Sequence, residues 1–596
     1  GGNRPDIRFI GKVNGCQSPI KHFNITLDGI PEKDATVYMP AGSDTSVYNS
    51  CGNINMQVVV RNMGRDTING YQLHYSIDGG QMDTTFVANV VPGGAEDQVQ
   101  LFSRHLMPGH HNVLAVVSVV DDSVYGNDTV RTSFNVRFCA GNYTIGAGST
   151  YDYHSFGEAI DSLEVAGIDG PVVFMVAGGI YNEQVVLGEI EGSSPQNKIT
   201  FRGSSDSVAL VKAVNTAQAN YVVNIDGLSN IEFDNLQMVS RPAGSANTAH
   251  VMVLQNTGNV TVRNSVLRVK GSVHHQNGSC IMLQGNVRKL QLVSNVLDSG
   301  YYSLSFANNT NGYEDFSIQG NTCTNFNLAS INLKGLKGLN INKNVIRSEY
   351  RGKLTGIILE NIDSIIRVQK NKIYLLGALT GANSVIDGFG KRGVELKSVS
   401  GNNQQCALVT NNMISASSNG VSGQDPVGIF IDGTSSYINV YYNTVRVYAG
   451  ASDVTKSKAL FTGAQTSHLQ VMNNILSNFS GAYAYYITSS NNITSSDYND
   501  YYAAGEKFAY WGGADRADLS ELQVAGTRDG SSLDEEPYFV ANDDLHLSMT
   551  NFVSKGQYNT DVIDDIDDEI RSQMPSPTLG ADEMRRLNHN MSVVRI

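Results

Sequence analysis

The stretch SSYINVYYNTVRVYAG, residues 435–450, holds two short runs of alternating apolar residues. Ile438 and Val440 alternate, Tyr441, Tyr442 and Asn443 interrupt, and Val445 and Val447 resume the pattern. Alone, this reads as a hairpin with an Asn at its bend. The rest of the chain says otherwise, because the template apolar-x-apolar-x-x-Asn-x-apolar recurs. It fits Leu290, Leu292, Asn295, Leu297, then Phe316, Ile318, Asn321, Cys323, and then Leu339, Ile341, Asn344, Ile346. It fits again at Ile366, Val368, Asn371, Ile373, at Ala407, Val409, Asn412, Ile414, and at Leu469, Val471, Asn474, Leu476. Ile438, Val440, Asn443 and Val445 make the opening stretch one more copy. Two earlier units, from Ile231 and Val260, keep the apolar spacing but carry the Asn one place earlier, at Asn235 and Asn264.

Nine units spaced by 23 to 41 residues are the mark of a solenoid rather than of a hairpin. Polar residues between the paired apolar ones, such as Gln291, Ser317, Asn340 and Arg367, give the inward–outward alternation of a strand. Stacked coils would set Asn295, Asn321, Asn344, Asn371, Asn412, Asn443 and Asn474 in one column. There each Asn tolerates the left-handed backbone of a tight bend and can hydrogen-bond along the stack.

Composition agrees. Charged residues are 16 % of the 596, Gly reaches 59, and the net charge is −14, which disfavours a general nucleic-acid binder. No run of 18 apolar residues is present, so no membrane-spanning helix is expected. Six cysteines, at 16, 51, 139, 280, 323 and 406, lack CxxC spacing, so neither a zinc site nor a thioredoxin motif is supported. Cys16 and Cys51 are candidates for a bridge, and Cys280, Cys323 and Cys406 for small buried residues.

Three regions are expected. Residues 1–138 show short strands with turn signals and predict a β-sandwich. Residues 139–510 carry the repeat, entered through a helix at YHSFGEAIDSLEVAG: Phe156, Ile160 and Leu163 share a face, Ser155 and Glu158 form a capping pattern, and Gly167 stops it. Residues 511–596 are expected to cap the repeat, with the acidic DVIDDIDDE as a solvated tail wrapped on the last coil.

The strands INMQVVVRNMGRDTINGYQLHYSIDGG resemble CARDB-type immunoglobulin-like domains over about residues 52–138. That family implies a spacer or adhesion module and no catalytic residue. The repeat, its helical entry and the first coil ending in Gly-x-Tyr-x-Glu resemble the right-handed parallel β-helix of the pectin-lyase-like superfamily. SSDYNDYY and EEPYFVANDDLHL resemble tail phrases of secreted Bacteroidetes β-helix proteins. The fold expected is therefore all-β, an immunoglobulin-like sandwich followed by a right-handed parallel β-helix, in a protein that is secreted or at the bacterial surface.

Members of that superfamily mostly cleave acidic polysaccharides. Lyases need a cation, Ca2+ or a basic side chain, plus a base, whereas hydrolases pair carboxylates. No paired carboxylates fit, and DVIDDIDDE lacks the Gly of a calcium loop, so no cofactor is expected, with Ca2+ the sole candidate. His274 and His275 adjoin one loop without a third ligand nearby in sequence. Residues 334–397 hold twelve basic side chains against five acidic ones. Lys343 and Lys370 each precede a repeat Asn and so share a register on neighbouring coils. Like charges that close need an anion over them. Lys343, Lys370, Arg347, Arg367, Lys391 and Arg392 are therefore the candidate glycan-binding residues, with the insertion from 377 to 403 as a groove wall. The expected role is adhesion or glycan binding without catalysis, the partner being a polysaccharide, a cell-surface glycan or another surface protein. A polysaccharide lyase using a Lys or Arg base is the alternative, and a passive stalk or cargo segment is the third.

Overall fold

The computed structural model describes residues 29–584, except 42–46, 50, 205–208, 216–218, 243–248, 271–277, 307–311, 351, 378–388, 419–424 and 450–455, together with four two-residue strands before residue 23. His274 and His275 lie outside the described residues. The chain forms two compact units, Gly1–Cys139 and Ala140–Ile596.

In the first unit, strands Glu96–Arg104, Ile54–Asn62 and Ala35–Tyr38 form one sheet. Strands Val47–Asn49, Thr129–Arg137, Gly109–Ser118, Ile68–Ile77 and Asp83–Val91 form another. Their alternating residues meet in one core that includes Val58, Val60, Leu73, Val113 and Phe134. The disulfide joins Cys51 to Cys139, not to Cys16. The expectation of a Cys16 bridge had only proximity in sequence behind it, whereas the fold brings the ends of an 88-residue loop together.

The second unit opens with helix Phe156–Ala166, whose Phe156, Ile160 and Leu163 are buried. Ser155 caps it by accepting from the Glu158 amide at 3.0 Å, and the Gly167 amide closes it on the Leu163 carbonyl. Glu183, from the Gly-x-Tyr-x-Glu motif, adds a second cap by accepting from the amides of Phe156 and Gly157 at 3.2 and 3.0 Å. Orphan amides and the helix dipole both favour a carboxylate there. Phe156 also packs on Phe201, which stacks between Phe174 and Phe233 on adjacent coils.

Above this cap the chain winds as a parallel β-helix. One ladder runs from Gly141–Ile145 to Ile493–Asp497, every step parallel. A separate 12-stranded sheet runs from Gly179–Tyr181 to Asp500–Ala503. A third face runs from Val185–Leu187 to Ala509–Trp511, joined to the first where long strands such as Leu354–Gln369 round a corner. The repeat register read from sequence is the pairing register. Ile231 faces Val260, Val260 faces Leu290, Phe316 faces Leu339, Leu339 faces Ile366, Ala407 faces Ile438 and Ile438 faces Leu469. Buried columns such as Leu297, Cys323, Ile346, Ile373, Ile414, Val445 and Leu476 carry the core, each side chain stabilising by about 1.5–3 kcal/mol.

The Asn column is a continuous ladder. Each Asn from 295 to 474 donates its amide and its Nδ2 to the Oδ1 of the next, at 2.9 to 3.1 Å, ending on Asn499. Each Nδ2 also donates to a carbonyl one coil below, as Asn412 does to Val368 at 2.8 Å. These Asn do not adopt the left-handed backbone expected of them. The preceding residue does: Ser294, Lys343, Lys370, Asn411, Tyr442, Asn473 and Tyr498 all have φ between 54° and 61°. Where the Asn stands one place earlier, Asn235 and Asn264 take that conformation themselves. The side-chain ladder stabilises a bend that Lys or Tyr would otherwise resist.

The segment after Trp511 does not stay on the last coil. Helix Leu519–Gly526 packs Gly526 against Trp511, and the chain then returns along the outside of the 12-stranded sheet. There Leu547, Phe552 and Leu579 cover Ile475, Val562 covers Tyr441 and Tyr442, and Leu545, Ile566 and Ala581 cover Tyr374 and Met413. The tail is therefore a strap that reaches down to the coils of Lys343 and Lys370. The expected wrap at the top gave no weight to these apolar residues.

Candidate functional site

The left-handed bend turns the side chain before each ladder Asn outward at a corner, so Lys343 and Lys370 stand one above the other, as their shared register requires. The anion over them belongs to the chain itself. Asp568 takes Lys343 on Oδ2 and Lys370 on Oδ1, the latter at 2.7 Å, and Asp564 meets Lys370 at 2.8 Å. Asp567 meets Lys372 at 3.1 Å, and Arg347 is held by Asp543 at 2.7 Å and Glu349 at 3.0 Å. Beside them, Arg571 is buried over the Tyr442 ring at 3.8 Å and donates to Asn411 Oδ1 at 2.7 Å.

The other three candidates lie apart from this corner. Arg367 is half-buried on the outer side of the first ladder and makes no ion pair among the described residues. Lys391 and Arg392 are 0 % and 1 % exposed, out of reach of a glycan. Half of the expected groove wall is in fact the strand Phe389–Ser400 of the third face, and residues 378–388 of it lie outside the described residues. Burial pushes the Lys391 amine down to about 7, its Nζ donating to the Leu375 and Gly377 carbonyls. Arg392 pairs with Glu395 at 2.7 Å and lies 4.0 Å over Phe430. Cys280 and Cys323 are fully buried as expected, but Cys406 is only partly so. Aromatic side chains near the end of the β-helix are packed into it: Tyr485, Tyr501 and Trp511 are buried, and Tyr486 stacks on Tyr510 at 4.3 Å.

His546, Asp567 and Asp582 lie within 4.8 Å of one another. Both ring nitrogens of His546 are already engaged, with Asp544 and with Asp567 at 2.7 Å, which is the arrangement of a clasped imidazolium. Burial pulls the His546 pKa down, but the hydrogen bonds to Asp544 and Asp567 outweigh it and the net shift is upward. Burial raises Asp567, and the hydrogen bonds from His546 and Lys372 more than reverse it. Lys343, then Lys370, hold Asp568 below the usual carboxylate range. The carboxylates thus stabilise the strap above the ordinary carboxylate pKa of ~4, and lose that contribution as pH falls through their lowered values. His546 contributes fully below its ordinary value of ~6.5 and loses its contribution as pH rises through the raised one. The strap should hold tightest between those limits. Amide exchange in 562–571, corrected for intrinsic rates, is expected to speed up from about pH 6 to pH 9, by no more than ~1 kcal/mol for these half-exposed groups. His546→Asn should abolish that alkaline limb, and an unchanged pH dependence in the variant would contradict the clasp.

On the outer side of the first ladder, four coils align Gln291, Ser317, Asn340 and Arg367 in one column. Val293, Gln319, Asn342 and Gln369 form the next column. All eight side chains reach solvent. Gln369 donates to Thr410 Oγ1 at 3.0 Å, whereas the side chains of Gln291, Ser317, Gln319, Asn340 and Asn342 make no hydrogen bond among the described residues. Lower on the same ladder, Arg202 and Arg263 are neutralised by Glu232 and Asp234, with Arg263 contacts of 2.8 and 3.0 Å. Sequence reading used these polar residues only as evidence of strand alternation. Their alignment was implicit in the nine-unit register.

No protein-family profile matches the chain, and no curated protein does. Among solved structures it is similar to the Yersinia enterocolitica family 28 exopolygalacturonase, at 11 % identity and a TM-score of 0.31, over 82 % of this chain and 99 % of that one. It is also similar to the Aspergillus niger pectin methylesterase, at 12 % identity and TM-score 0.18, over 68 % and 94 %. The chain is also similar to a CARDB domain of Pyrococcus furiosus, at 17 % identity and TM-score 0.16, over 19 % of this chain and 94 % of that one. Similarities of this depth assign no role to any residue.

Proposed function

We propose that this chain is an exported, non-catalytic polysaccharide-binding protein acting in adhesion or glycan capture. Its contact surface is the outer side of the first ladder between Gln291 and Gln369, on a right-handed β-helix carried by an immunoglobulin-like module. The observation behind this reading is the double column of five amides and the Ser317 hydroxyl, with Val293 and Arg367 at its ends and no carboxylate, repeated once per coil at a spacing of about 4.8 Å. Amides both donate and accept, so they suit sugar hydroxyls, and an extended polymer laid along the axis would meet at least one fresh amide at each coil. Fixed strands keep the ordering cost of binding low. The Cys51–Cys139 disulfide supports export, since such bonds persist in oxidising compartments.

The lyase reading has less support. Lys343, Lys370 and Arg347, its best bases and carboxylate clamps, are engaged by the strap. Retardation of the full chain in gels holding neutral polysaccharides is the test. The double variant Gln319→Ala, Asn342→Ala should migrate with at least a tenfold weaker apparent affinity for the retarding polymer. Equal retardation of variant and wild type would remove this surface from the account. Rising absorbance from an unsaturated uronate product on acidic polysaccharides would replace binding by lyase activity.

A further inference from the structure

Upstream of the amide columns, on the same strands, lies a cavity of about 320 Å³. Its rim carries Glu314, Lys337 and Asp363, one from each of three successive coils. Gly312 and Gly335 lie along its wall, and Tyr313 and Leu336, each 1 % exposed, also line it. We infer that this cavity is the subsite that selects the sugar, taking one uncharged pyranose residue whose vicinal hydroxyls bridge Lys337 to Glu314 and Asp363. The inference rests on the polysaccharide-binding reading and names its substrate class.

The charges carry the argument. Glu314 and Asp363 each face Lys337 in the strand register, yet neither forms an ion pair with it among the described residues. Three charged groups on neighbouring coils surround an open space instead of closing on one another. Glu314 is balanced on its far side by Arg288, at 3.7 Å, so the four groups sum to zero and the space favours no net charge. A donor between two acceptors matches adjacent sugar hydroxyls, each of which both donates and accepts. The volume is at the small end of ligand sites, enough for a single residue rather than an oligomer. Glu314, Lys337 and Asp363 precede Ser317, Asn340 and Arg367 by three or four residues, about 10 Å along the strands and across the bend at Asp315, Gly338 and Ser364, so the cavity lies beside the amide columns on the same coils and takes a residue that turns off, or branches from, a chain laid along the axis.

Calorimetric titration of the full chain with glucan, mannan and galactan oligosaccharides, and with glucosamine and galacturonate oligomers, tests this. One neutral series is expected to bind best. Glu314→Gln, Lys337→Met and Asp363→Asn should each weaken it roughly tenfold, since the two carboxylate replacements turn a charge-assisted hydrogen bond into a neutral one and Lys337→Met removes one. All three side chains are on the surface, so their replacement leaves the core untouched. Unchanged affinity in all three variants, with binding still lost in Gln319→Ala, Asn342→Ala, would overturn the cavity and leave the amide columns standing. Tighter binding of either charged oligomer would also overturn it. No binding of any neutral oligomer or polymer by the wild type would remove both.

Discussion

Replacing Asn412 by Ala is expected to cost about 4 kcal/mol and to loosen the β-helix locally rather than everywhere. The substitution removes the Oδ1 that accepts from the Asn371 amide at 3.1 Å and from its Nδ2 at 2.9 Å. It also removes the donors that reach Val368 O and Asn443 Oδ1. Water cannot replace these partners, because Asn371, Asn412 and Asn443 are all 0 % exposed. Each buried group left without a partner costs about 1–3 kcal/mol. In a solenoid each coil leans mainly on its neighbours, so the damage should centre on Ile366–Tyr374 and Ile438–Val447. Hydrogen exchange should show lost protection there and near-normal protection at Val172–Val176. Had the Asn served only as a turn former, the cost would stay near 1 kcal/mol with no spread to the coils above and below. Asn344→Ala and Asn443→Ala should repeat the result.

The second large effect concerns the first unit. Removing the Cys51–Cys139 bridge frees an 88-residue loop, and the chain-entropy cost for a loop that long is about 4.6 kcal/mol. The core of that unit is small, so this is a large part of its stability. Cys51→Ala with Cys139→Ala, or reduction of the wild type, should lower the unfolding midpoint of the first unit. The β-helix midpoint should stay where it is, because neither cysteine contributes to its ladders. Followed by exchange, Ile54–Asn62 and Gly109–Ser118 lose protection first. Equal stability of oxidised and reduced protein would show that the bridge closes a loop the fold already holds.

The fold was legible because a parallel stack repeats its own sequence. Leu339, Ile366 and Ala407 are far apart in number but occupy one column, and the nine-unit register predicted it. The helix face of Phe156, Ile160 and Leu163, with its Ser155 cap, followed from local chemistry alone. Missed features depend on contacts that no local pattern encodes. The ladder continues to Asn499, where a bulge between Leu469 and Gln470 breaks the apolar spacing that marked the other units. The repeat showed that Lys343 and Lys370 needed an anion. It did not show that Asp568 supplies one from more than 190 residues away, since the strap is positioned by scattered apolar residues such as Leu545, Ile566 and Leu579. Lys391 and Arg392 looked like loop cations because Gly and Ser surround them, yet they begin a strand whose flanks are buried.

Labelling of a cysteine placed at Ser317 gives the most direct check of the binding surface. Ser317 is half-buried at the centre of the amide columns, and its outward side chain makes no hydrogen bond among the described residues. The full chain carrying Ser317→Cys is alkylated with and without the retarding neutral polysaccharide, and the rate is read on its own peptide by mass spectrometry. An exposed Ser531→Cys serves as the control. Slowing of the reaction at position 317 by at least tenfold, with no change at 531, is the result expected. Equal rates at 317 with the polymer bound would place the glycan elsewhere and contradict the account.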